Sequence, residues 1–173
     1  MGEQPVLRGA RVVLSPAGDP QLGAILEVLL DPTVVRWWGH YDSDRVREEY
    51  ADPKDEVVYL VEVAGDVAGI IQYGEEDDPD YRHASIDIAL KAPAQGTGVG
   101  PEAIRVVLRH LFGERGHHRI TIDPAAENRN AIRAYEKVGF RPVGIMRQFE
   151  RGEDGAWHDN LLMDLLRSEF VDG

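Results

Sequence analysis

HASIDIALKAPAQGTGVGPEAIRVVLRHLFG, residues 83–113, decides the fold. His83 to Leu90 alternates polar and apolar residues, the pattern of a strand with two different faces, and Pro93 removes a ladder donor just beyond it. From Val99 onward the apolar residues Val99, Ala103, Ile104, Val107, Leu108 and Leu111 recur with helical period to Phe112, and Gly113 ends the run. Between strand and helix stands Gln95-Gly96-Thr97-Gly98-Val99-Gly100. Glycines there let successive backbone N–H groups turn to one side, and a helix N-terminus adds about half a positive charge, so the segment reads as a cradle for an anion. No Gly-Lys-Ser/Thr follows, and Q-x-x-G-x-G is not the dinucleotide spacing. Taken alone, it is also what a flexible loop entering a helix looks like.

Upstream of this unit, 57–63 and 67–73 are β-rich runs joined around Gly65-Asp66 as a hairpin, and 75–81 (EEDDPDY) reads as an exposed acidic loop. That loop is either a simple solvated turn or an extension of a cation-binding surface. Before the hairpin come a short strand at 11–15, a helix from Pro20 to Leu30 with Asp19 as N-cap, an aromatic cluster TVVRWWGHY at 33–41, and a helix from Ser43 to Tyr50. Downstream, 119–123 is a strand, Asn128 to Val138 a helix closed by Gly139, and 140–151 and 157–166 two strands turning at Gly152–Gly155. Strands alternating with helices predict an α/β fold, a mixed sheet with helices on both faces, in one domain spanning 1–173.

Composition narrows the chemistry. The 173 residues include no cysteine, which removes disulfides, thiolate metal sites and a thiol nucleophile. No ligand spacing links the six histidines, so no metal is expected. Nor does any apolar run approach membrane-spanning length, and the first residues do not read as an export leader; a cytoplasmic location is expected. The net charge of -12 argues against a nucleic-acid partner. It would steer cations toward the surface, although acidity also serves solubility.

The stretch Asn128-Arg129-Asn130-Ala131-Ile132-Arg133-Ala134-Tyr135-Glu136-Lys137-Val138-Gly139-Phe140 resembles the N-x-x-A-I-x-x-Y-E-K-x-G-F signature of the GNAT N-acetyltransferases, and the glycine-rich loop lies one helix and one strand earlier, as in that family. The resemblance implies a mostly antiparallel sheet of about six or seven strands. Within the family, Val35 to Gly39, Ile86-Asp87 and Thr121 to Pro124 look like the aminoglycoside 6'-N-acetyltransferases. The last hairpin, Gly144 to Met163, instead resembles enzymes that acetylate the N-termini of ribosomal proteins. Polyamine acetyltransferases form a third acceptor class. The resemblance is compatible with a monomer or a homodimer.

What the resemblance implies is acetyl-CoA as co-substrate, with direct transfer to an amine in a ternary complex. The loop residues Gln95, Gly96, Thr97, Gly98, Val99 and Gly100 would hold the pyrophosphate, Asn128, Ala131, Tyr135 and Lys137 the rest of the cofactor, and a backbone N–H of Ala89 or Leu90, beside a strand irregularity, the thioester oxygen. Asp87 would be the general base and Tyr135 the general acid. Each has a plainer alternative: Asp87 on an alternating strand also suits solvent, and Tyr135 on a helix also suits packing. Asp123, ending a strand where ligands bind in such folds, is a candidate partner of a cationic acceptor. Trp37 and Trp38 either stack on the acceptor or belong to the core.

Overall fold

A computed structural model describes residues 4–173. Its strands are β1 (Leu7–Arg8), β2 (Val12–Pro16), β3 (Glu56–Val63), β4 (Asp66–Glu76), β5 (His83–Leu90), β6 (Arg119–Ile122), β7 (Arg141–Arg151) and β8 (Trp157–Leu166). The helices are α1 (Leu22–Leu29), α2 (Pro32–Trp38), α3 (Ser43–Tyr50), α4 (Val99–Gly113) and α5 (Arg129–Val138). One open sheet results, in the order β1-β2-β3-β4-β5-β6-β8-β7, antiparallel except where β5 meets β6.

Neighbouring apolar residues on β3 go to opposite faces. Tyr59 and Val61 join a core with α4 and α5, while Val58 and Leu60 join a second core with α1, α2 and α3. Burial on both faces explains why 57–61 reads as an unbroken apolar run rather than an alternating one.

Several expectations change. The sheet has one strand more than the upper estimate, because β1 pairs only Leu7 with Leu14 and Arg8 with Val13, too short for alternation to show. The aromatic cluster is a helix, α2, started by Asp31, whose carboxylate accepts the Thr33 N–H, with Pro32 at the first position, and ended by Gly39 at φ +80°. Asp19 caps nothing: it begins a 3-10 turn whose start is Gly18, and α1 follows at Leu22. The hairpin turns on Ala64 and Gly65, both at positive φ, one residue earlier than expected.

Glu75 and Glu76 are strand rather than loop. Glu75 accepts two hydrogen bonds from Arg115, at 3.0 and 2.8 Å, and contacts His117 at 2.6 Å. This cluster lies where β4 pairs the start of β5, the opposite end from Asp87 and Leu90, so Glu75 is committed to structure and not to a cation surface.

One departure from regularity positions the site. β5 pairs β6 only at Ala84–Ile120 and Ser85–Thr121, after which β5 runs on to Leu90 with β4 on one side and, among the described residues, no strand on the other. The chain after β6 stays with β8 instead, through an Ala125–Asn160 bridge and a bond from the Leu161 N–H to the Pro124 carbonyl. A wedge opens between the two parallel strands. No bulge interrupts β5 where it pairs β4; the irregularity is on β4, between the Val61–Gly69 and Glu62–Val67 pairs. Gly69 lies so close to β5 that a Cβ there would fall on the Ala89 carbonyl.

Candidate active site

The wedge is the floor of a cleft of about 1100 Å³. Along one half runs the glycine-rich loop. Gly96 and Gly98 adopt φ of +72° and +86°, conformations that favour glycine, and Gly98 is the N-cap of α4. The first N–H groups of α4 have no partner within the helix, while Pro101 has none to offer, so loop and helix together present backbone donors to an anion. Arg133 and Lys137 of α5 line the same half and add positive charge in an otherwise acidic protein.

Side chains brace this loop. Gln95 donates to the Thr33 hydroxyl at 2.7 Å and to the Leu90 carbonyl at 2.8 Å, tying the loop to α2 and β5. Thr97 donates to the Ala94 carbonyl. Arg11 donates to the Thr97 carbonyl at 3.3 Å and pairs with Glu102 at 3.0 Å. The Glu102 carboxylate also accepts the Arg11 and Val12 N–H groups, and it sits below the usual carboxylate range despite partial burial. Its charge is thereby satisfied next to the place where an anion would bind.

Beyond Ser85, adjacent β5 residues turn their N–H groups alternately toward β4 and toward the wedge. Of Ala89 and Leu90, one therefore offers a donor to the cleft. Asn128 lines the cleft, but its side chain caps α5 by accepting the Ala131 N–H at 3.2 Å. Tyr135, one helical turn beyond Ala131, is 8% exposed and lines the cleft. Burial first, then the charges of Asp87 and Asp123, push its phenol up, so it holds its proton at neutral pH.

The other half gathers carboxylates. Asp87 shares the β5 face of Ala89, toward α1 to α3. Its exposed surface opens onto the cleft, while protein crowds it from behind. Burial, followed by the charges of Asp123, Glu56 and Glu150, pushes its pKa up to about 7. Among the described residues, no hydrogen bond opposes that shift. Asp123 directly follows β6; burial raises it too, against a lowering bond from Asn160. Glu56 is raised by burial and by Glu49 and Asp55, and accepts a bond from the buried Gln72 at 2.8 Å.

Trp37 and Trp38 both line the cleft, and Trp38 also packs on the α1–α3 core, the core reading of that residue. Tyr41 and Arg45 stand beside them, the guanidinium 3.8 Å from the Tyr41 ring centroid and bonded to Glu49.

All the sequence-nominated residues from Trp37 to Lys137 line one cleft except Thr97 and Val99, whose backbones belong to its loop. Sequence reasoning missed Phe149, Glu150 and Asn160. Glu150 carries no local signal, because three β7 residues bulge between the Met146–Asn160 and Glu150–His158 pairs and turn it inward. Asn160 lies within the hairpin that resembles the ribosomal-protein enzymes, but only the structure shows it buried.

Residues 11–141 match the profile of the acetyltransferase (GNAT) domain. The chain is similar to aminoglycoside N(6')-acetyltransferase type 1 of Klebsiella pneumoniae, 28% identical over 151 residues that cover 74% of this chain and 73% of that protein. A solved aminoglycoside acetyltransferase, AAC(6')-Ib in complex with coenzyme A, is similar with a TM-score of 0.76 and 25% identity, covering 91% of this chain and 96% of that one. A spermidine N-acetyltransferase from Vibrio cholerae, solved with CoA and spermine, shares the fold with a TM-score of 0.79 and 23% identity, covering 93% and 98%. The matching profile spans most of the sequence and includes both the wedge and the glycine-rich helix start, and on that ground the chain belongs to the GNAT acetyltransferase family, whose members use acetyl-CoA.

Proposed function

We propose that the protein transfers an acetyl group from acetyl-CoA to a primary amine of a polycationic small molecule, an aminoglycoside at its 6'-amino group being the preferred acceptor class. One observation carries this reading: Asp87, Asp123 and Glu150 converge on the acceptor half of a cleft whose other half is built for an anion. A thioester cofactor with a phosphate-bearing tail fits the free N–H groups of the loop, with Arg133 and Lys137 beside them.

Acetyl-CoA supplies, when bound, an acetyl thioester that an amine can attack. The chain's own groups then divide the work. Asp87, poised near neutrality, takes a proton from the incoming ammonium and is far better matched to it than an ordinary carboxylate, since alkyl amines titrate near about 10. The inward N–H of Ala89 or Leu90 donates to the oxygen as negative charge develops on it. Tyr135 gives its phenolic proton to the departing sulfur as the carbon–sulfur bond breaks. No side-chain thiol is present to form an acyl-enzyme, in keeping with direct transfer. Trp37 and Trp38 offer faces for a sugar ring.

A polyamine is the second reading, favoured by Glu56, whose charge acts on Asp87 and deepens the negative potential around it. The test is release of CoA against kanamycin, tobramycin, spermidine and a ribosomal N-terminal peptide, with mass spectrometry of the products. One acetyl group added to kanamycin, lost on analogues without a free 6'-amine, is the expected result. Silence on every aminoglycoside with turnover of spermidine or the peptide overturns the acceptor assignment.

A further inference from the structure

We infer that Asn160, with Asp123 and Glu150, forms a subsite for a second ammonium group of the acceptor, separate from the amine that reacts at Asp87. The inference rests on the cationic-acceptor reading above and sharpens it: the acceptor carries at least two positive charges.

Asn160 lies on β8, lines the cleft and is only 3% exposed. Its Nδ2 donates to the Asp123 carbonyl at 3.0 Å and to Asp123 Oδ2 at 3.2 Å, with Glu150 Oε2 at 3.4 Å. Those three oxygens fix the amide orientation, since the reverse would set oxygen against oxygen. The consequence falls on Oδ1, which is buried and has no hydrogen-bond partner among the described residues. Buried acceptors without donors are rare, and one at the wall of a cleft points to a donor brought by a ligand.

The surroundings define that ligand. An NH2 group has two hydrogens, here spread over three acceptor oxygens, two of them carboxylate. Asp123, Glu150 and the orphan Oδ1 thus offer acceptors and negative charge. Arg45, the guanidinium lining this cleft beside the tryptophans, is engaged with Glu49 and the Tyr41 ring. An ammonium supplies three donors and one positive charge, which matches the set. The backbone is shaped to deliver Glu150 there. Gln148 holds φ +50°, and its N–H is held by Asp159 at 2.8 Å.

The test uses the intact enzyme with kanamycin and spermidine as multiply charged acceptors and 6-amino-6-deoxyglucose as a singly charged one. For Glu150→Gln and Asn160→Leu, the ratio of kcat/KM for kanamycin or spermidine over the monoamine falls by roughly tenfold or more, mostly through acceptor KM, as expected when a charged partner is removed. The acetyl-CoA KM does not follow it. If Asn160→Leu fails to fold, Glu150→Gln, on an exposed side chain, still decides.

An unchanged ratio in Glu150→Gln, with kanamycin turned over, overturns the subsite and leaves the aminoglycoside reading standing. Spermidine turned over without kanamycin, and with the ratio falling, does the reverse. A wild-type preference for the monoamine overturns both.

Discussion

Asp87 concentrates the functional argument in one carboxyl group. Its pKa of about 7, set by burial and by Asp123, Glu56 and Glu150, lies well above the ordinary aspartate value near about 3.9. Between those values the folded chain holds a proton that the unfolded chain has released, so this group's contribution to stability falls as pH rises toward 7 and is level above it. Asp31, Glu75 and Glu102 are lowered and act in the opposite sense, but only at acid pH, below their ordinary titration. Melting wild type and Asp87→Asn between pH 5 and pH 8 should therefore show a steeper decline in Tm for wild type. The same variant should lose about 10²–10⁴-fold in kcat, and the wild-type rate should rise along an acid limb near pH 7. Unchanged turnover would remove Asp87 from the chemistry.

At the scale of elements, the acceptor half depends on the β7–β8 hairpin. Arg147, Gln148 and Phe149 stand opposite Asp159, without strand partners, and Gln148 sits in the left-handed region without being glycine. That conformation costs a non-glycine residue about 1–2 kcal/mol. Gln148→Gly should therefore stabilise the fold by up to about 1 kcal/mol after the added freedom of the unfolded chain is counted, read as a higher midpoint in urea. A lower midpoint would show that the side chain of Gln148 does more than tolerate the bend. Elements whose signals are local were legible in sequence. The α5 start at Asn128, its end at Gly139, and the apolar stripe of α4 all came through. The bulge was not, because an inserted register shift depends on what the opposite strand does.

Across the whole molecule the charge is -12, and yet the loop before α4 with Arg133 and Lys137 favours an anion. The two substrates thus feel opposite fields. Raising ionic strength from 50 to 500 mM should lower kcat/KM for kanamycin or spermidine by about tenfold while affecting acetyl-CoA far less, measured at constant pH. Equal insensitivity of both substrates would show that the acidic surface serves solubility alone. Sequence by itself determined the family, and it nominated the glycine-rich turn, Asp87 and Tyr135 as candidates, because these readings rest on residue types at fixed spacing within single strand–loop–helix units. Only the tertiary structure decided that β6 leaves β5 after two residue pairs, that Glu75 is locked to Arg115 and His117, and that Glu150 and Asn160 meet Asp123. Those contacts join segments tens of residues apart or hang on a register shift, and no local pattern along the chain encodes a distance between strands that pass one another.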